Sequence, residues 1–132
     1  FFLIKELFFD GEYLLPNIEN MRPSSEVNIV ASNGNKYVFN NGTTYDSEKK
    51  FGLYTGTYTF KNIPQGHPMA ILSGNSNISY SGDDNKKFND GTYDYYYGDI
   101  DVTVNGDFNE VSVNCYYHGY MGGENLLVYN NS

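Results

Sequence analysis

In the run Asp99-Ile100-Asp101-Val102-Thr103-Val104-Asn105-Gly106-Asp107-Phe108-Asn109-Glu110-Val111-Ser112-Val113-Asn114-Cys115, apolar and polar residues alternate twice over. Ile100, Val102 and Val104 fall on one face, Asp99, Asp101 and Thr103 on the other. The same holds for Val111, Val113 and Cys115 against Ser112 and Asn114. A period of two belongs to a strand buried on one face. Asn105-Gly106 between the two runs is a turn signal. Cys115 therefore points inward at the end of a strand, in phase with two buried valines.

Outward from this stretch the chain reads as strand, turn, strand. Residues 27–30 are predicted as a strand ended by Asn33-Gly34, and residues 36–39 as a strand ended by Asn40-Asn41-Gly42. Residues 52–60 read as one strand, with Leu53, Thr55, Thr57 and Thr59 on one face and Tyr54, Tyr58 and Phe60 on the other. Pro64-Gln65-Gly66 turns into a strand over 68–72. A polar loop is expected over 73–91, with a short apolar interruption at Ile78 to Tyr80. Gly119, Gly122 and Gly123 lie in a loop before a closing strand over 126–129. No internal repeat is visible, and no helix is expected after residue 22. The 14 Tyr and 9 Phe among 132 residues suit strands, and the 14 Gly suit turns. The length allows one domain with a real core. The expectation is an all-β fold, a sandwich or barrel.

The beginning of the chain differs. Phe1, Phe2, Leu3, Ile4, Leu7, Phe8 and Phe9 form an apolar cluster, and Pro16 and Pro23 frame its exit, with Ser24-Ser25 as a linker. Residues 1–25 are read as an added apolar segment: a packing strand, a short helix or an assembly arm. Residues 26–132 are the main domain. Lys5, Glu6 and Asp10 interrupt the apolar run, and no run is long enough to span a membrane. The first residue is Phe rather than Met, as in a processed product or a piece of a longer chain.

The net charge of −8 argues against nucleic acid, whose recognition needs cations facing phosphates. It suits a solvated surface, or an acidic face that steers a basic partner. One cysteine cannot form an internal disulfide. Asn41-Gly42-Thr43, Asn77-Ile78-Ser79 and Asn130-Asn131-Ser132 match the glycosylation pattern, a weak signal in an Asn-rich chain. An extracytoplasmic, secreted or particle-associated location is favoured over a cytoplasmic one. The loop at Asp83-Asp84-Asn85 lacks the spacing and glycine of a calcium-binding EF-hand and is read as solvated surface. No nucleophile elbow or phosphate loop is present, and the expectation is a protein that is not an enzyme.

The chemistry sits in Cys115-Tyr116-Tyr117-His118-Gly119-Tyr120-Met121 and in Gly66-His67-Pro68-Met69. The first is a C-x2-H-x2-M run; the second holds the other of the chain's two histidines. Singly, each residue has a plainer reading: a buried inert thiol, two loop histidines, a core methionine. Together, a thiolate, two imidazoles and a thioether are the donor set of a mononuclear blue-copper site. Zinc competes for Cys and His, but Met121 leans the set toward copper.

At these residues the chain resembles the cupredoxin, or blue-copper, family of the plastocyanin, azurin and amicyanin kind. The resemblance covers roughly residues 50–129. It implies a Greek-key β-sandwich and one copper ion held by His67, Cys115, His118 and Met121, with Gly66 as a weak axial carbonyl. It also implies one-electron transfer to a protein partner, and the acidic surface suits a redox partner with a basic face. The loop of His118 would be the electron port, with Gly119 and Tyr120 at its rim. One departure is Pro68, where the family usually has Asn with a backbone N–H aimed at the cysteine sulfur; proline has none. The other is Tyr116-Tyr117, where a proline is common. Two further readings stand beside electron transfer. One is a structural or assembly module of a virion, surface layer or filament, with identical subunits meeting through residues 1–22 and copper absent or only stabilising. The other is copper storage or delivery.

Overall fold

The computed structural model describes residues 17–130. The apolar cluster of residues 1–9 and the last glycosylation pattern's Asn131-Ser132 lie outside the described residues, as do residues 1–16 of the assembly contact expected through residues 1–22. The described chain has thirteen strands: β1 (Asn17–Asn20), β2 (Ser24–Glu26), β3 (Asn28–Ala31), β4 (Asn35–Val38), β5 (Lys49–Leu53), β6 (Gly56–Ile63), β7 (Met69–Leu72), β8 (Ile78–Gly82), β9 (Lys87–Asn89), β10 (Asp94–Tyr96), β11 (Gly98–Val104), β12 (Glu110–Cys115) and β13 (Leu127–Tyr129). No helix occurs among the described residues, so none is long and apolar enough to cross a membrane.

Two sheets form a sandwich. The larger runs β1-β5-β13-β12-β7-β10-β9, and the smaller runs β2-β6-β11-β8. The strands β3 and β4 make a separate hairpin. The sheets do not close into a barrel. Their inner faces follow the predicted alternation: Ile100, Val102 and Val104 on β11 and Val111, Val113 and Cys115 on β12 are all buried. Phe39 spans the core, its ring 5.2 Å from Phe51 of the larger sheet and 4.8 Å from Phe60 of the smaller. Such edge-on and tilted contacts add to the burial of area that drives the sheets together.

Four features differ from the sequence reading. Residues 52–60 are not one strand: β5 ends at Leu53, and β6 begins at Gly56 in the other sheet. The crossing changes the inside-outside phase, so Leu53, Tyr58 and Phe60 are all buried although they fall on opposite faces of a continuous strand. The polar loop over 73–91 contains β8, which pairs with β11, and β9, which pairs with β10. Both are edge strands, where polar residues face water and the apolar signal is thin. Ser24-Ser25 is not a linker but part of β2, parallel to β6, and Ser25 is buried. The turn at Asn105-Gly106 carries the chain across to the opposite sheet rather than closing a hairpin.

Asparagine does much of the turning. Asn33, Asn40, Asn41, Asn62, Asn109 and Asn125 all take positive φ. Among non-glycine residues Asn is one of the few that visits this region readily. Asn40 is the buried case. Its Oδ1 accepts the Arg22 N–H at 2.9 Å, and its Nδ2 donates to Glu19 at 2.7 Å and to the Asn20 carbonyl at 2.9 Å. Its own N–H donates to the Ser25 hydroxyl at 2.8 Å. These bonds pin β1 and β2 to the sandwich. Hydrogen bonds from Asn40 first, and from Lys49 second, hold the Glu19 carboxyl below its usual range. Asn40→Ala is expected to destabilise the protein by about 2–4 kcal/mol, from three lost side-chain bonds and an alanine forced into the left-handed region. Asn40→Gly should retain about 1 kcal/mol more, because only the strain is relieved. Urea denaturation of the two variants checks both values.

Candidate metal centre

The site begins with a strand register. β12 and β7 are antiparallel neighbours, with Ser112 opposite Leu72, Val113 opposite Ile71, Asn114 opposite Ala70 and Cys115 opposite Met69. The end of β12 therefore meets the start of β7. The Tyr116 N–H donates to the Pro68 carbonyl at 3.0 Å, which extends the pairing by one step. His67 is next along the chain, in a turn closed by its N–H on the Pro64 carbonyl at 2.9 Å.

After Cys115 the chain doubles back at once. The Cys115 N–H donates to the Gly119 carbonyl at 2.6 Å, and the Gly119 N–H returns to the Cys115 carbonyl at 3.0 Å. Gly119 sits at φ +76°, which closes this turn without a Cβ clash. His118 is thereby folded back over Cys115. The loop then presses onto β12: the Val113 N–H donates to the Gly123 carbonyl at 2.8 Å. A Cβ on Gly123 would overlap the carbonyl oxygens of Val113 and Tyr120, so only glycine fits there.

The result is a cluster of the chain's one cysteine and both histidines. The Cys115 sulfur lies 3.5 Å from Nδ1 of His118 and 3.8 Å from Nδ1 of His67. Their candidate ligand atoms all fall within 4.8 Å of one another. Sulfur and nitrogen bound to one ion at about 2.3 and 2.0 Å, and 110–120° apart, would be separated by about 3.5–3.8 Å. The two sulfur-to-nitrogen distances already match those around a shared cation. No other group of three His, Cys, Asp or Glu among the described residues could hold an ion.

Burial is graded across the site. Cys115 is 1% exposed and Met121 7%. His67 is half-buried, while His118 is exposed. Met121 belongs to the same core cluster as Cys115. It takes positive φ, a strained conformation for its type, held by the tight loop. Gly66 is exposed, with nothing packed where a side chain would be. The two imidazole rings are 5.0 Å apart between centroids. Around them Tyr117 and Tyr120 are exposed, and Phe88 stacks on Tyr116 at 5.2 Å.

The sequence did not single out Tyr37. It lies on β4, is 1% exposed, and donates its hydroxyl to the His67 carbonyl at 2.8 Å. The signal available beforehand was only an aromatic residue in a short strand. The contact spans thirty positions of sequence.

Comparison with protein-family models, with curated proteins and with solved structures gives no match. What stands is an all-β sandwich with a His67/Cys115/His118/Met121 cluster able to hold a metal ion, an arrangement compatible with the cupredoxins.

Burial first, and the charge of His118 second, hold His67 below the usual imidazole range. That favours the neutral ring, the form that binds metals. The group resists protonation in the folded state, so its contribution to stability is fully present above the unfolded value near 6.5. It is lost as pH falls from there toward the lower folded value. NMR titration of the metal-free protein should give His67 a midpoint below 6.5. His118→Ala should raise that midpoint only in part, since burial remains.

Proposed function

We propose that the protein is a mononuclear copper protein that passes single electrons through a type 1 site. The observation that carries this reading is the approach of two imidazole nitrogens to 3.5 and 3.8 Å from one buried sulfur. In this reading Cys115 supplies the thiolate, His67 and His118 the imidazoles, and Met121 a weak thioether ligand. Bound copper would supply a one-electron couple whose potential depends on the thioether and on hydrogen bonding at the sulfur.

The remaining residues bind, orient and shield. Burial of Cys115 excludes water and competing thiols. The exposed edge of His118 is the natural place for electrons to enter and leave, and Tyr117 and Tyr120 offer an apolar rim for a partner to cover. The net charge of −8 favours a partner with a basic face, and such steering weakens as salt rises. The structural reading has identical subunits assemble through residues 1–22 with metal dispensable, and takes the exposed tyrosines as a further contact surface. It predicts that the residues persist without a spectroscopic site.

Addition of one equivalent of Cu(II) to the metal-free protein should produce an intense blue thiolate-to-copper band. Cys115→Ser should abolish the band and leave the sandwich folded. Met121→Leu should keep the band and raise the potential, since a weak electron donor is lost. Absence of any band with a reduced, folded wild type would reject electron transfer at this site and favour the assembly reading.

A further inference from the structure

The hairpin β3–β4 belongs to neither sheet, yet it carries one of the most deeply buried aromatic residues of the fold. Tyr37 reaches both ligand loops at once. Its backbone N–H, on the outer edge of β4, donates to the Met121 carbonyl at 3.0 Å. Its hydroxyl donates to the His67 carbonyl at 2.8 Å, with the Pro68 carbonyl at 3.4 Å. One residue thus ties the segment of His67 to the segment of Met121, independently of the β7–β12 ladder. We propose that Tyr37 is a positioning residue that clamps the two ligand loops together around Cys115. The clamp rests on the metal-site reading for its purpose, but not for its geometry.

Pro68 gives this contact its importance. A residue with an N–H at that position could tie the upstream loop to its neighbour through the backbone, and proline cannot. The Pro68 carbonyl already accepts the Tyr116 N–H; the His67 carbonyl is the group left to hold, and a phenol is a donor that reaches it. Burial chiefly, and the proximity of Cys115 secondarily, push the ionisation of Tyr37 far up, so the hydroxyl keeps its proton. A polar group near the thiol alters the surroundings of a bound metal. Met121 needs the hold as well, because its positive φ persists only if neighbours enforce it.

The test compares Tyr37→Phe with Tyr58→Phe. Tyr58 is a second buried tyrosine, whose oxygen accepts the Tyr54 N–H at 2.9 Å, away from the ligand loops. Each variant removes one core hydroxyl. In the metal-free protein, Tyr37→Phe should speed alkylation of Cys115 by iodoacetamide about tenfold, the effect of one lost hydrogen bond on local opening. Tyr58→Phe should stay within about twofold. With Cu(II), Tyr37→Phe should lower affinity in chelator competition about tenfold or more and move the visible band. Tyr58→Phe should do neither. Equal behaviour of the two variants in the alkylation rates overturns the clamp. If wild type forms no band, the copper reading fails, and the alkylation comparison still decides the clamp. If Tyr37→Phe does not fold, native-state amide exchange of the wild type decides it. Tyr37 and Cys115 exchanging through one shared opening supports the clamp, and Tyr37 exchanging well ahead of Cys115 overturns it.

Discussion

The pairing of β12 with β7 is the constraint on which the rest of the site depends. Four residues of each strand face one another, and the last pair is Cys115 with Met69. A slip of one residue would turn every side chain of β12 to the other face. Val111 and Val113 would then leave the core with Cys115. The position of the thiol is thus set by the same burial that holds the sandwich together. β12 is the middle strand of the seven-stranded sheet, so its neighbours on both sides oppose such a slip. The His67 turn needs no separate device to arrive, because it directly precedes the strand that pairs with β12.

The gradient of burial follows from which segment carries each residue. Cys115 ends a core strand, Met121 tucks under the loop, His67 sits in a turn at the sandwich end, and His118 occupies the crest of the tightest turn. Taking polar groups out of water is costly unless they are paired. Here the sulfur lies against two ring nitrogens, and the half-buried imidazole is pushed toward neutrality. Two imidazoles and a thiol gathered at one point form a donor set suited to a soft or borderline cation.

The sequence made the ligand residues legible because they are scarce. With one cysteine and two histidines, chemistry and strand phase together leave few arrangements. The alternation on β11 and β12 survives into the structure because each strand buries one face only. What sequence periodicity did not reveal was where strands change sheets. Leu53 and Tyr58 read as opposite faces of one strand, and the bend at Tyr54-Thr55 makes both inward. The strands β8 and β9 were hidden for a related reason, since their pairing is a property of β11 and β10 rather than of their own composition. Tyr37 was invisible because a hydroxyl-to-carbonyl contact between distant segments leaves no local pattern.

The loop after Cys115 bears on whether an ion would be kept or passed on. Between Val113 and Gly123 the backbone closes on itself through Cys115 with Gly119 in both directions, Gly123 with Tyr120, and Val113 with Gly123. Met121 is tied to β4 by its own carbonyl. A side chain at Gly123 would strike the Val113 carbonyl, so the loop lies directly against β12. Handing an ion to another protein requires ligands to leave one at a time, and here the backbone that carries Met121 and His118 cannot move off β12 and β4 without breaking several of these bonds. Electron transfer makes the opposite demand: donor atoms should stay in place while the charge of the site changes. A cluster whose loop has little slack, with His118 the most exposed of its members, meets that second demand better than the first.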